Sequence, residues 1–217
     1  MLKLLIATRN QHKVGEIQAL LGAGFHCQTL KIFPGAPAVE EDAETFAGNA
    51  TKKAVAVARW LMAVIRTGHR PDYVLADDSG LAVDVLNGAP GVHSARFAAL
   101  DSGADGNSLD ADNNAKLLRL LQGVPREKRT GRFHCVIALV KLAETAGLAT
   151  TEPRCFKGFC EGRIDFAPRG QGGFGYDPLF VPAGYEVSFA ELDAAAKNQI
   201  SHRARALEKL NAHFAAR

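Results

Sequence analysis

A mixed α/β fold is predicted for this 217-residue sequence by three observations. Apolar runs of strand length alternate with stretches in which apolar residues recur every three to four positions, the pattern of strands interleaved with amphipathic helices. The run Leu2 to Ala7 leads through a polar loop into such a helical stretch, a strand-loop-helix unit. Two later runs, Phe133 to Leu142 and Arg154 to Phe166, follow each other without an intervening helix and read as an antiparallel pair. The sheet should therefore contain both parallel and antiparallel neighbours, with helices flanking it. With 47% hydrophobic residues the chain has ample apolar surface for its core, and one domain over 1–217 is expected.

The elements follow in order. Asn10 to Leu21 carry Val14, Ile17, Leu20 and Leu21 at helical spacing, and a second strand is expected near Leu30 to Phe33. The stretch "FPGAPAVEED" then leads to a long helix from about Glu44 to Arg66, with the stripe Phe46, Ala50, Ala54, Val57, Leu61, Val64 and with Asp42 as its N-cap. Tyr73 to Asp78 form a buried strand, followed by the alternating Leu81, Val83, Val85 and the turn Asn87-Gly88. A helix spans roughly Ala111 to Gln122, and the chain closes on a helical stretch from about Glu191 to His213. Glycine and proline cluster in 170–182, a loop expected to lie over a site.

A formal charge of +3 is too mild for a nucleic-acid binder, which would carry a concentrated basic face. It suits a site that collects a polyanion. The first apolar run is too short to cross a membrane, so a cytoplasmic protein with no membrane partner is expected. Cys27, Cys135, Cys155 and Cys160 form no CxxC pair and have no histidine at zinc-ligand spacing, so they read as reduced core thiols.

Ligands of open α/β sheets gather beyond the carboxyl ends of strands, and two strands here end in polar chemistry. The first ends in Thr8, Arg9, Asn10, Gln11, His12 and Lys13, just before a helix whose N-terminus offers N–H groups to an anion. The other ends in Asp77-Asp78, while Glu40, Glu41 and Asp42 precede the long helix. Adjacent buried carboxylates lose hydration and repel, so they either hold a proton or hold a cation. Oxygen ligands without cysteine point to Mg2+.

Five segments in sequence, Thr8-Arg9-Asn10 with Lys13, "EEDAETFAGNA", "DDSGLAVDVLNGAPGVHSAR", "GGFGYDPLF" and "KNQISHRARAL", resemble the inosine/xanthosine triphosphate pyrophosphatase family. The resemblance spans nearly the whole chain. It implies an elongated mixed α/β sheet with two lobes around a central nucleotide cleft, Mg2+ dependence, a homodimer, and hydrolysis of non-standard purine nucleoside triphosphates (ITP, dITP, XTP) to the monophosphate and pyrophosphate. It assigns Thr8, Arg9, Asn10, Gln11, His12 and Lys13 to the triphosphate, with Lys53 as a second cation beside it. Glu41, with Glu40 as the alternative, and Asp78 fall to the metal and the attacking water, and Ser79 to a substrate contact. Phe174, Gly175, Tyr176, Asp177, Lys197, His202 and Arg203 fall to the nucleotide pocket. One departure stands at Gly48, where the family often has an acidic residue and where glycine weakens a helix by roughly 1 kcal/mol relative to alanine.

The chemistry asked of these residues is definite. Cleaving the α–β bond needs water aligned on the α-phosphorus and neutralisation of the departing pyrophosphate. Asp78 is the candidate catalytic residue, as base or as metal ligand. An aspartate of ordinary pKa, about 3.9, is a poor base for free water, so either a metal acidifies that water or neighbouring charge raises the carboxyl. Arg203 only donates hydrogen bonds and so suits the 6-keto oxygen of hypoxanthine or xanthine rather than the 6-amino group of adenine. Asp177 suits the N1–H of the same bases, and Phe174 offers a stacking face. On one continuous helix Lys197 would stand about 140° from His202 and about 120° from Arg203. Either Lys197 serves a different part of the nucleotide, or the helix bends or restarts near Ser201. The alternative function is a non-catalytic nucleotide-binding protein, which would have no use for Glu41 and Asp78. A phosphatase working through a DxD nucleophile is disfavoured by the spacing of Asp77 and Asp78.

Overall fold

The computed structural model describes residues 1–65, 70–101, 103, 105–143 and 152–216. Its six strands form one sheet in the order β2-β1-β3-β4-β5-β6, namely β1 (Leu2–Ile6), β2 (Phe25–Thr29), β3 (Tyr73–Val83), β4 (Thr130–Lys141), β5 (Arg154–Ile164) and β6 (Phe180–Pro182). The helices are α1 (Gln11–Leu21), α2 (Phe46–Val64), α3 (Asp110–Leu120), α4 (Ala194–Ile200) and α5 (His202–Ala215). β1 runs parallel to both β2 and β3, and β5 runs antiparallel to β6. The mixed α/β class is the one the sequence predicts.

The chain divides into two compact units, and the division falls inside β3, β4 and β5. The first unit comprises Met1–Asp78, Cys135–Lys157 and Ala206–Arg217. Alternate residues of its strands feed two cores. Leu4, Ile6, Leu75, Ile137 and Leu139 pack with Val14 and Ile17 of α1 and Leu207 and Leu210 of α5. Leu5, Val74, Ala76, Val136 and Ala138 pack instead with Ala54, Val57 and Leu61 of α2. Strands covered on both faces read as continuous apolar runs, which is why β1 and β3 are so plain in the sequence. The second unit, Ser79–His134 and Gly158–Arg205, packs Leu81, Val83, Phe133, Ile164 and Phe180 against Leu117 of α3 and Leu121 at its C-cap.

Several expected boundaries are corrected. The second strand is Phe25–Thr29, and Leu30–Ile32 forms a short 3-10 turn in which Lys31 N donates to Thr29 Oγ1. As the edge strand of the sheet, β2 is only half-buried and its sequence FHCQT shows little apolar signal. α2 begins at Phe46 with Thr45 as N-cap, its Oγ1 accepting from Gly48 N at 3.0 Å, while Asp42 pairs with Lys52. The expected helix end at Arg66 lies outside the described residues. The largest correction concerns Asp77 and Asp78, which do not end a strand: β3 continues through Ser79 and Gly80 to Val83. The C-terminal helix is two helices, with Ser201 extended between them at φ −67° and ψ 156°. All four cysteines are thiols, but only Cys135 and Cys160 lie in the core, Cys27 being half-buried and Cys155 exposed; among the described residues no helix is long and apolar enough to cross a membrane.

Candidate active site

Because side chains alternate along a strand, Asp77 and Asp78 leave β3 on opposite faces, so neighbours in sequence need not repel at close range. Asp77 shares the face of Tyr73 and Leu75, which α1 covers, and Lys13 of α1 reaches its Oδ1 at 2.6 Å. The Cys135 thiol donates to its Oδ2 at 3.1 Å. Asp78 shares the face of Val74 and Ala76, which α2 covers, and Lys53 of α2 lies 3.6 Å from its Oδ1. Each helix thus delivers one lysine to one carboxylate.

Lys53 joins more than this pair. Its Nζ donates to the backbone oxygen of Asp77 at 2.7 Å and lies 3.2 Å from Glu41 Oε1. Asn49, a fully buried α2 residue, accepts from Ala43 N and donates to Ala43 O, tying the segment that follows Glu41 to the helix. Of the two candidate glutamates it is Glu41 that meets Lys53, and Glu40 is exposed. Gly48 has a local reason in this turn: a Cβ there would stand 2.8 Å from Ala43 Cβ.

Asp78 is nearly buried, and its Oδ2 accepts no hydrogen bond among the described residues. Burial pushes its carboxyl up to about 6, against the pull of Lys53 and then Lys13 and with smaller pushes from Glu41 and Asp77. A buried acceptor without a donor is costly in a finished core and useful where a cation or a water must be held.

The Thr8–Lys13 loop lies in the same unit. Asn10 caps α1, its Oδ1 accepting from His12 N and Lys13 N, so two donors that the sequence reading offered to an anion are satisfied within the loop. Thr8 Oγ1 accepts from Asn10 N, Gln11 Nε2 donates to Arg9 O, and the Arg9 guanidinium donates to Ala36 O at 2.8 Å. A cavity of about 230 Å3 is lined by Thr8, Arg9, Glu41 and Lys53 together with apolar neighbours. The cluster therefore unites Glu41, Lys53, Asp78 and the start of the loop.

The second unit assembles the other candidates. Arg203, fully buried, donates to Ser79 Oγ at 2.9 Å. Lys197 Nζ lies 2.6 Å from Asp177 Oδ2, with both side chains buried, and Phe174 N donates to the same oxygen at 2.9 Å. The restart at Ser201 lets Lys197 of α4 and Arg203 of α5 approach one ring, at 5.3 and 5.8 Å from the centroid of Phe174. This is the geometry that a continuous helix would have forbidden. His202 stacks on Phe133, with centroids 4.7 Å apart and planes 12° from parallel. Tyr176 donates its hydroxyl to Ser94 O at 2.9 Å. Gly173 is required by contact as well as by its φ of +71°, since a Cβ would fall 2.1 Å from Asp177 Oδ2.

Two contacts lie outside the sequence expectations. Asp77 acts as counter-charge to Lys13, which the simple picture of a carboxylate pair conceals. Asp110 and Asn114 of α3 bond both backbone groups of Gly175, and their four-residue spacing at the head of a helix was the available signal.

The sequence profile of the Ham1 family matches residues 4–213. A dITP/XTP pyrophosphatase of Desulforamulus reducens is 50% identical over 209 residues, covering 96% of this chain and 93% of that protein. Another from Geobacter sulfurreducens is 47% identical over 215 residues, 99% of this chain and 97% of that one. Among solved structures, a HAM1 protein from Coxiella burnetii superposes with a TM-score of 0.78 at 38% identity over 100% of both chains. A nucleoside-triphosphatase, dITP/XTP pyrophosphatase, from Mycobacterium abscessus gives a TM-score of 0.65 at 40% identity, covering 96% of this chain and 98% of that one.

Proposed function

The chain belongs to the Ham1 family, and from that premise we propose that it hydrolyses dITP, ITP and XTP between the α- and β-phosphates, releasing the monophosphate and pyrophosphate. The observation that carries the hydrolytic reading is Asp78, buried, raised in pKa, with one carboxylate oxygen that no donor satisfies, beside Lys53 and Glu41. A protein that only bound nucleotides would gain nothing from that cost.

The triphosphate falls to Thr8 through Lys13 and to Lys53, whose ammonium groups neutralise charge gathering on the leaving pyrophosphate. Asp78 orients the water on the α-phosphorus, and either takes up its proton, a role for which the raised pKa near 6 is better placed than an ordinary aspartate's, or serves as a metal ligand. Asp78 and Glu41 are also the residues that would hold Mg2+, and the unsatisfied Asp78 oxygen fits that assignment. Asp78 and Glu41 are two carboxylates, a number with which Mg2+, an ion that keeps several waters, is commonly held. When bound, the ion supplies acidification of water and charge neutralisation.

The purine falls to the second unit's cluster. Phe174 supplies a face, and the donor-only Arg203 and Lys197 favour a 6-keto oxygen over a 6-amino group. Asp177 has its Oδ2 engaged by Lys197 and Phe174 N, so its first task is to fix the loop and set the lysine, ahead of any contact with N1–H. Ser79 orients Arg203. Because β3, β4 and β5 each run through both units, we assign 1–217 to one functional domain, acting as a homodimer in the cytoplasm on free nucleotides.

The test is product analysis with ITP, XTP, GTP and ATP, with Mg2+ or chelator. Metal-dependent monophosphate and pyrophosphate from ITP and XTP, with ATP and GTP spared, is the expected result. Orthophosphate with a diphosphate would overturn the site of attack, and binding without turnover would leave a nucleotide-binding protein.

A further inference from the structure

We propose that Asp110 and Asn114 are positioning residues for base selection, acting through the loop that carries Phe174 and Asp177; the inference rests on the assignment of that loop to the purine. Four residues apart on α3, they share one face of the helix. Gly175 N donates to Asp110 Oδ2 at 2.6 Å, and Asn114 Nδ2 donates to Gly175 O at 2.9 Å. Both backbone groups of a single loop residue are thus taken by one helix face.

Tyr176 and Leu179 pack in the core with Leu117, while a cavity of about 450 Å3 lies against Asp110 and Asn114 at Gly175 itself, bordered also by Ala111, Leu118, Gly172 and Gly173. The hydrogen bonds are what set the height of Gly175 above α3, and one of them is strengthened by the carboxylate charge. Asn114 is buried, with its Oδ1 accepting no hydrogen bond among the described residues. An amide kept with one end unsatisfied costs stability that an apolar residue would not, which points to a requirement for its other end.

Gly175 lies between Phe174, the ring that Lys197 and Arg203 approach, and Tyr176, whose hydroxyl is fixed on Ser94 O. Two residues on is Asp177, the partner of Lys197. α3 is itself anchored, with Leu117 and Leu121 in the core and Lys116 bonded to Phe97 O at 2.6 Å. A shift of Gly175 would move the ring together with the carboxylate that sets Lys197, and a base held between ring and lysine would lose its fit. The effect belongs to recognition of the base rather than to attack on phosphorus.

The experiment measures kcat and KM for dITP and dATP with the wild type, D110A, D110N and N114A, alongside melting temperatures. The wild type should prefer dITP; D110A and N114A should lower the dITP-to-dATP ratio of kcat/KM about tenfold, through KM for dITP, the loss of one strong hydrogen bond. D110N keeps an acceptor oxygen and should recover most of the ratio. An unchanged ratio in folded D110A overturns the inference while leaving the proposed function intact. No preference in the wild type would overturn the base assignment and this inference with it. Should N114A fail to fold, D110A, altered at an exposed side chain, decides the matter.

Discussion

The two carboxylate clusters treat charge in opposite ways. In the second unit Asp177 is answered in full: its Oδ2 meets Lys197 at 2.6 Å and Phe174 N at 2.9 Å, both inside a buried setting. In the first unit Asp78 is buried to a similar degree, yet its lysine stands at 3.6 Å and its Oδ2 accepts nothing among the described residues. A satisfied pair is a fixed scaffold with a set dipole, suited to discriminating one base edge from another. An unsatisfied carboxylate is a site where a proton or a cation lowers the free energy, suited to chemistry. Burial alone therefore does not mark a catalytic aspartate; burial with incomplete pairing does.

The largest break in this comparison comes from D78N. Activity should fall at least about 1000-fold, as for loss of a general base, while the metal-free protein becomes more stable above pH 6. The sign follows from the raised pKa: the folded state favours the protonated carboxyl, so this contribution is present below the unfolded value near 3.8 and is lost as pH rises through about 6. Asparagine has no charge to bury. Melting in chelator should show a gain of about 1–3 kcal/mol at pH 8, and no gain at pH 4. A D78N protein less stable than wild type at pH 8 would overturn the contrast.

D177A should behave in the reverse sense. It leaves the Lys197 ammonium buried beside Phe174 and Phe189 without its carboxylate, at a cost of about 3–5 kcal/mol. Denaturant unfolding measures it directly, and a cost below about 1 kcal/mol would mean that the pair is not the brace its geometry indicates. The smallest effect sharpens the recognition side: R203K keeps a charge but loses the planar fork that reaches Ser79, and should cut dITP preference over dATP by about 10- to 100-fold. Steady-state kinetics on both nucleotides decides this, and a retained preference would remove Arg203 from base selection.

Much of this was legible in the chain. The apolar runs of β1 and β3 announced strands buried on both faces, and the stripe from Phe46 to Leu61 announced α2. The break at Ser201 was one of two outcomes the arithmetic allowed, since 100° per residue cannot place Lys197 and Arg203 on one face of a continuous helix. The edge strand β2 was misplaced because its half-buried residues leave a weak pattern. The carboxylates were read as a strand end because polar residues usually interrupt a buried strand, whereas here a lysine from each flanking helix lets the strand continue through them.

What the sequence determined by itself was the set of elements and the chemical types they carry, because helical and strand periodicities are local and survive without knowledge of neighbours. Only the tertiary structure decided which group answers which. The alternation of β3 sends Asp77 to α1 and Asp78 to α2, Lys53 meets Glu41, and α3 takes Gly175 across 61 and 65 positions of chain. Those pairings depend on what packs over each face of the sheet. That is a property of the whole fold, and no window of sequence contains it.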